Sequence, residues 1–298
     1  MKKVLVLVIY IATIIVAGPA NAEVLSIYEI QYVDVNEHPD GNSLKAGQVV
    51  DCLGGVVIDK FRRGRVKLTI QDINDPNALA GWGGIIVKNN KFTVDTNIFD
   101  DANIGDWISF TNVLVNEDYG NTMLQFEANS SFTIESSNNV LPEPLVLTVD
   151  EIASPIDDVD AWLVADHNAE KYEAMLLQVK NVKVTARDLG AHFDNYVLQD
   201  YDSIDPNQSC WATDYLNESQ DEYGYHPFVQ PGQHFCGVTG ILEQYTGNRN
   251  GYDWDYYQLL TIYTSDLKRY TPADLNGDCM VDFADFAVFS QYWLWGVE

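Results

Sequence analysis

Twelve residues near the C-terminus place oxygen at a regular spacing: Asp274-Leu275-Asn276-Gly277-Asp278-Cys279-Met280-Val281-Asp282-Phe283-Ala284-Asp285. Asp274, Asn276, Asp278, Asp282 and Asp285 fall at loop positions 1, 3, 5, 9 and 12, and Met280 at position 7 offers its main-chain carbonyl. Calcium is a hard cation that takes roughly six to eight oxygen ligands, and a loop of this length wraps them around one point. Ca²⁺ is therefore the expected cofactor, held by these six residues. Position 6, where the sharp turn usually calls for glycine, is Cys279, which lowers the expected affinity. Downstream, Phe283, Phe286, Phe289, Tyr292 and Trp293 recur at helical spacing and predict a helix with one aromatic stripe.

A second group opposes the overall charge. Lys60, Arg62, Arg63, Arg65 and Lys67 crowd a single hairpin and offer a local site for an anionic chain, a nucleic acid or an acidic polysaccharide. The run Tyr252–Tyr257 mixes aromatic rings with acids and suits either a packed hairpin or a sugar-stacking surface. For catalysis there is little to name. The histidines His38, His167, His192, His226 and His234 show no metalloprotease spacing, and there is no nucleophile elbow or phosphate loop. Carboxylates abound, yet nothing singles out the fixed pair that glycoside hydrolysis requires. The expectation is a protein without catalytic residues.

The elements that must carry these groups are strands. Residues 48–58 are β-rich with internal glycines, and Val66–Ile70, Gly84–Val87, Trp107–Val115 and Met123–Phe126 follow as short runs between Asn, Asp and Gly turns. Segments also recur. "KLTIQD" ending at Asp72 returns as "NYVLQD" ending at Asp200, and the block around Gly105 returns around Gly232, offsets of 128 and 127. This is duplication at the scale of a whole domain. Pro142 and Pro144 mark the boundary between the copies, followed by a short strand over Leu145–Val149 and a helical turn.

The chain has 298 residues, with 17 Lys and Arg against 44 Asp and Glu, a net charge of −27. Such a surface repels nucleic acid and anionic membranes except where a local patch reverses the sign. Lys2 and Lys3, the apolar stretch 4–18 and Ala20-Asn21-Ala22 have the order of a secretory signal cleaved after Ala22. The expected location is therefore extracellular or periplasmic, with no membrane association after cleavage. Export makes disulfides the default for Cys52, Cys210, Cys236 and Cys279. Cys210 and Cys236 share one apparent domain and follow strand-like residues, so that bridge is expected. Four cysteines still allow three pairings, and the partners of Cys52 and Cys279 stay open.

Two resemblances follow from these residues. The pattern "SIYEIQYVDVNEHPDGNSLKAGQVVDCLGGVV…LTIQD…GGIIV…IGDWISFTNVLVNEDYGNTMLQF", then "LPEPLVLTVDEI…EKYEAMLLQVKNVKV…YVLQD", resembles the tandem OB-fold domains of secreted bacterial nuclease-associated proteins. It implies an all-β fold of two small, partly open five-stranded barrels acting as a binding accessory, with a short α segment at the C-terminus. The Asp274–Asp285 loop and its helix resemble one type I dockerin repeat, where a complete dockerin has two. The organisation expected is a signal peptide over 1–22, barrels over 23–140 and 141–268, and the calcium repeat over 269–298. The function expected is a secreted, non-catalytic adaptor attached through residues 269–298 to a cohesin-like or cell-surface protein. Two alternatives stand beside it: a component of extracellular polysaccharide degradation, and a binder of oligonucleotide or anionic polysaccharide through Lys60–Lys67.

Overall fold

The computed structural model describes residues 22–38, 41–62, 66–95, 97–152, 169–187, 195–205, 208–213, 229–249, 252–261, 263–276 and 279–295, with backbone alone at 62, 246–249, 252–255 and 294–295. The stretch before residue 22, expected from the sequence to be a signal segment, lies outside them. No helix among the described residues is long and apolar enough to cross a membrane.

Among the described residues, apolar side chains alternating with polar ones fold into fourteen strands in two sheets of seven. The first holds β1 (Glu23–Leu25), β2 (Val49–Arg62), β3 (Val66–Gln71), β4 (Gly84–Asn89), β5 (Trp107–Asp118), β6 (Asn121–Phe126) and β7 (Ser131–Ser136). The second holds β8 (Leu145–Leu147), β9 (Leu176–Arg187), β10 (Asn195–Asp200), β11 (Ser209–Thr213), β12 (His234–Arg249), β13 (Tyr252–Leu260) and β14 (Leu267–Arg269). The sheet orders, β1-β2-β3-β4-β6-β5-β7 and β14-β12-β13-β11-β10-β9-β8, are the same connection pattern written from opposite ends. Every pairing recurs, including the parallel β4–β6 and β11–β13 contacts. The additional pairings β2–β5 and β12–β9 close each set of five central strands on itself. These barrels are thus closed rather than partly open, and closure removes sheet edges that would otherwise pair with other chains.

The duplication has a local cause. Gly105 and Gly232 take φ of +88° and +86°, a conformation open to glycine without a Cβ penalty. In each copy that turn returns the N–H of the glycine to a carbonyl of the first barrel strand: Gly105 to Val57 at 2.9 Å and Gly232 to Val184 at 2.8 Å. The same bulge leaves Ile58 and Thr185 without a cross-strand partner at an offset of 127, and one extra residue in the second hairpin brings the next strand to 128 (70 to 198). Inside, each barrel has its own apolar core, around Leu68, Ile70, Ile108 and Phe110 in one and Leu177, Tyr196, Phe235 and Leu259 in the other.

The barrels meet along a buried junction. Gly84 on β4 lies so close to the second barrel that a Cβ there would sit 2.2 Å from the Ala174 carbonyl oxygen. Asn121 and Gln244 bond reciprocally: the amide Nδ2 donates to the Gln244 carbonyl at 2.5 Å, and the Gln244 N–H donates to Asn121 Oδ1 at 3.0 Å. Val56, Ile58, Ile241 and Leu260 form a small apolar cluster across the same seam. At its centre Glu173 Oε1 accepts from the Thr122 N–H at 3.0 Å and from Gln31 Nε2 at 3.3 Å.

Among the described residues three α-helices accompany the strands: α1 (Ile27–Gln31), α2 (Pro76–Ala80) and α3 (Phe283–Trp295). The last is the helix that the C-terminal spacing predicts.

Candidate functional site

Strand alternation gives Tyr256 and Tyr257, the two residues of the 252–257 run whose side chains are described, opposite roles. Tyr257 faces inward, 3% exposed, and its hydroxyl donates to Glu170. Tyr256, its neighbour, faces outward and is opposite Tyr245 across the β12–β13 ladder. Their rings lie 5.7 Å apart. Trp211 on β11 continues the row 5.8 Å from Tyr256. On the other side Tyr119, at the tip of the β5–β6 hairpin of the first barrel, stacks on Tyr245 at 5.5 Å. Tyr119 is 59% exposed, and the other three rings are partly exposed. Asn195 Nδ2 donates to the Tyr256 hydroxyl at 3.3 Å and so orients that ring. The result is a row of four rings that crosses from one barrel to the other. Aromatic faces of this kind accept bases or sugar rings without needing a counter-charge.

Of these four, only Tyr256 belongs to the run that the sequence singles out. The other three come from chain segments far apart, and the only signal available was the repeat itself, which aligns the β5–β6 and β12–β13 hairpins.

Of the basic hairpin, only Lys60 and Lys67 have described side chains. Lys60 points back into its own barrel, where its ammonium donates to the carbonyls of Asp100 at 2.8 Å and Ala102 at 2.7 Å. Lys67 sits over the Phe61 ring at 5.4 Å. Arg63 and Arg65 lie outside the described residues, as does the side chain of Arg62.

At the C-terminus main-chain hydrogen bonds hold the described residues of the Asp274–Asp285 segment. Cys279 at position 6 has φ of +66°, the left-handed conformation that position demands, and its N–H donates to Asp274 Oδ2 at 2.7 Å. Asp285 accepts from the N–H groups of Leu275 (2.6 Å), Asn276 (3.2 Å) and Asp282 (2.7 Å), which hold its carboxyl below the usual range. Asp282 in turn accepts from Ala284 N–H at 2.6 Å and starts α3. Asp274 and Asp285 are 1% and 3% exposed. Two buried carboxylates at positions 1 and 12, an all-oxygen donor set and a left-handed position 6 fit Ca²⁺. Asp274, Asn276, Met280, Asp282 and Asp285 would hold the ion; Asp278 lies outside the described residues. The aromatic stripe of α3 stays in solvent, with Phe283 at 90%, Tyr292 at 71% and Trp293 at 67% exposed, rather than packing on the barrel.

The expected Cys210–Cys236 bridge is corrected. Cys236 pairs with Cys279, their Cα atoms 5.5 Å apart, while Cys52 and Cys210 are free and buried. Cys210 points into the second core, and β13 lies between its strand and β12. Cys236 follows the core residue Phe235 and sits at an irregularity in β12, where the returning calcium loop meets it. Burial pushes the Cys52 thiol up to about 12 and raises that of Cys210 as well, so neither is poised for chemistry.

No family model and no curated protein matches the chain. Solved structures do. An OB domain of MM0293 from Methanosarcina mazei matches with 16% identity over 32% of this chain and 79% of its own, at a TM-score of 0.24. The Ifi202 HINa domain in complex with 20-bp double-stranded DNA matches with 9% identity over 71% and 92%, at 0.33. Fission yeast Pot1 with single-stranded DNA matches with 12% identity over 81% and 88%, at 0.27. The assignment rests on the strand pairings, not on these similarities: two closed five-stranded barrels in tandem, each with the OB connection pattern.

Proposed function

We propose that the protein is an exported, non-catalytic binding protein that lays an extended oligomer, a polysaccharide or a single-stranded nucleic acid, across the rings of Tyr119, Tyr245, Tyr256 and Trp211. The ring row is the observation that carries this reading. A net charge of −27 favours a ligand that stacks without phosphates. The Arg62, Arg63, Arg65 and Lys67 cluster favours the nucleic-acid reading. Titration with a neutral glucan, a polyuronate and an oligothymidylate at low and high salt separates them. Loss of one ring, as in Trp211→Ala or Tyr256→Ala, is expected to weaken the bound class by about tenfold or more, since stacking contributes roughly 1–3 kcal/mol per unit. A nucleic acid shows a steep salt slope and a neutral chain shows none. Wild type that binds none of the three, or ring variants that bind as wild type does, would overturn the reading.

The Asp274–Asp285 loop is proposed as the attachment end, a Ca²⁺-dependent module presenting the open face of α3 to a cohesin-like or cell-surface protein. Calorimetry is expected to give one Ca²⁺ per chain for wild type and at least a tenfold loss for Asp285→Asn, which keeps the size of the side chain and removes its charge. An unchanged isotherm in that variant would count against the module.

A further inference from the structure

Beside the disulfide lies a cavity of about 290 Å³ lined by Gln178, Lys180, Asn181, Cys236, Gly237, Lys268 and Cys279. Its construction can be followed from the register. Gly237 on β12 is the cross-strand partner of Lys180 on β9 on one side and of Lys268 on β14 on the other. The three form one row across three strands, and the Gln178 side chain lies over the glycine in the middle, 3.2 Å from where a Cβ would stand. Strands lie roughly 4.8 Å apart, so the two lysine backbones are separated by about 10 Å. Two long, flexible ammonium arms bridge that span easily and can close on one group between them.

The charge pattern is the second observation. Acidic residues outnumber basic ones by 44 to 17. Lys45 and Lys88 are paired with carboxylates, and Lys60 and Lys183 donate to main-chain carbonyls. Lys180 and Lys268 have neither kind of partner among the described residues. Gln178 adds a carboxamide whose Nε2 is anchored on Thr239 Oγ1 at 3.0 Å, and Asn181 is anchored by His234 Nε2 at 2.8 Å. The buried Asp274 is not among the lining residues, although its carboxylate lies within 4.8 Å of the Cys236 and Cys279 sulfurs.

We infer that this cavity is a binding site for a single oxyanion, a carboxylate, sulfate or phosphate group, gripped between Lys180 and Lys268 with the disulfide as one wall. It lies apart from the ring row and does not depend on that reading. Two like charges brought into one row repel, and a bound oxyanion converts the repulsion into two charge-assisted hydrogen bonds. The oxyanion belongs either to a free inorganic anion or to an acidic sugar.

The test is titration of the full-length protein with inorganic phosphate, inorganic sulfate, galacturonate and, as a neutral control, galactose at low ionic strength. The site predicts millimolar or tighter binding of at least one anion and no binding of galactose. Galacturonate alone points to acidic sugar as the source; phosphate or sulfate points to a free anion. Lys180→Gln with Lys268→Gln is expected to lose at least tenfold in affinity, and the paired Lys→Arg variant to retain it. Both lysines are exposed, so the variants should melt as wild type does, which separates loss of binding from loss of fold. Equal anion binding in wild type and the double glutamine variant overturns the inference, and so does a wild type that binds no anion.

Discussion

Glu173→Gln is expected to raise the melting temperature at pH 8 by several degrees and to flatten its decline between pH 5 and pH 8. Glu173 is 2% exposed at the junction between the barrels. Its Oε1 accepts from Thr122 and Gln31, while Oε2 has no hydrogen-bond partner. Burial raises its proton affinity well above the usual range, and the neighbouring carboxyls of Glu170 and Glu117 push in the same direction. Tyr257 donates to Glu170 from the second barrel. Asp59 follows the same logic, with burial raising it to about 7 against the opposing hydrogen bond from the Lys60 N–H.

The sign is set by which state holds the proton. Above an ordinary carboxyl value near 4 the unfolded chain is ionised while the folded junction stays protonated. Stability therefore falls as pH rises, until the folded groups also ionise. For Asp59 that window runs from 3.8 to about 7, and at about 1.4 kcal/mol per unit the loss is on the order of a few kcal/mol. Glutamine keeps the acceptor at Oε1 and offers an N–H₂ to the neighbouring carboxylates. A variant whose melting temperature falls with pH as steeply as that of wild type would show that Glu173 does not carry the effect. Asp59→Asn, measured alongside, reads the second share.

What was legible in the chain depended on whether the signal was local. The barrel duplication was readable because two turns need a left-handed residue at the same place, and Gly105 and Gly232 supply it. The helix α3 was readable because aromatics at helical intervals need no distant partner. The disulfide was not, because the position of Cys236 depends on an irregularity of β12 and on where residue 279 returns. Lys60 looked like a free cation because its two acceptors are main-chain carbonyls some forty residues away. The ring row was hidden for the same reason. Tyr119 and Tyr245 belong to different barrels, and only the junction brings them together.

That dependence gives the second large effect. Gly84→Ala is expected to destabilise the junction by roughly 3 kcal/mol or more and to weaken ligand binding without touching any ring. The new Cβ would lie 2.2 Å from the Ala174 carbonyl oxygen and 2.6 Å from the Met175 N–H nitrogen. Both are main-chain atoms, so no rotamer change relieves the overlap, unlike ordinary overpacking of a core. Gly47→Ala is the matched control: φ there is +80° and nothing lies within 4 Å of the added methyl, so it carries backbone strain of about 1 kcal/mol and no clash. The two cores are separate, so Gly84→Ala is expected to keep its far-ultraviolet circular dichroism, to scatter X-rays as a more extended particle and to unfold in two steps. With the barrels parted, Tyr119 no longer reaches Tyr245. Adding Tyr119→Ala to Gly84→Ala should then cost no further affinity, whereas Tyr119→Ala alone weakens binding. Full additivity of the two changes, together with an unchanged scattering profile, would mean that the junction does not hold the row together.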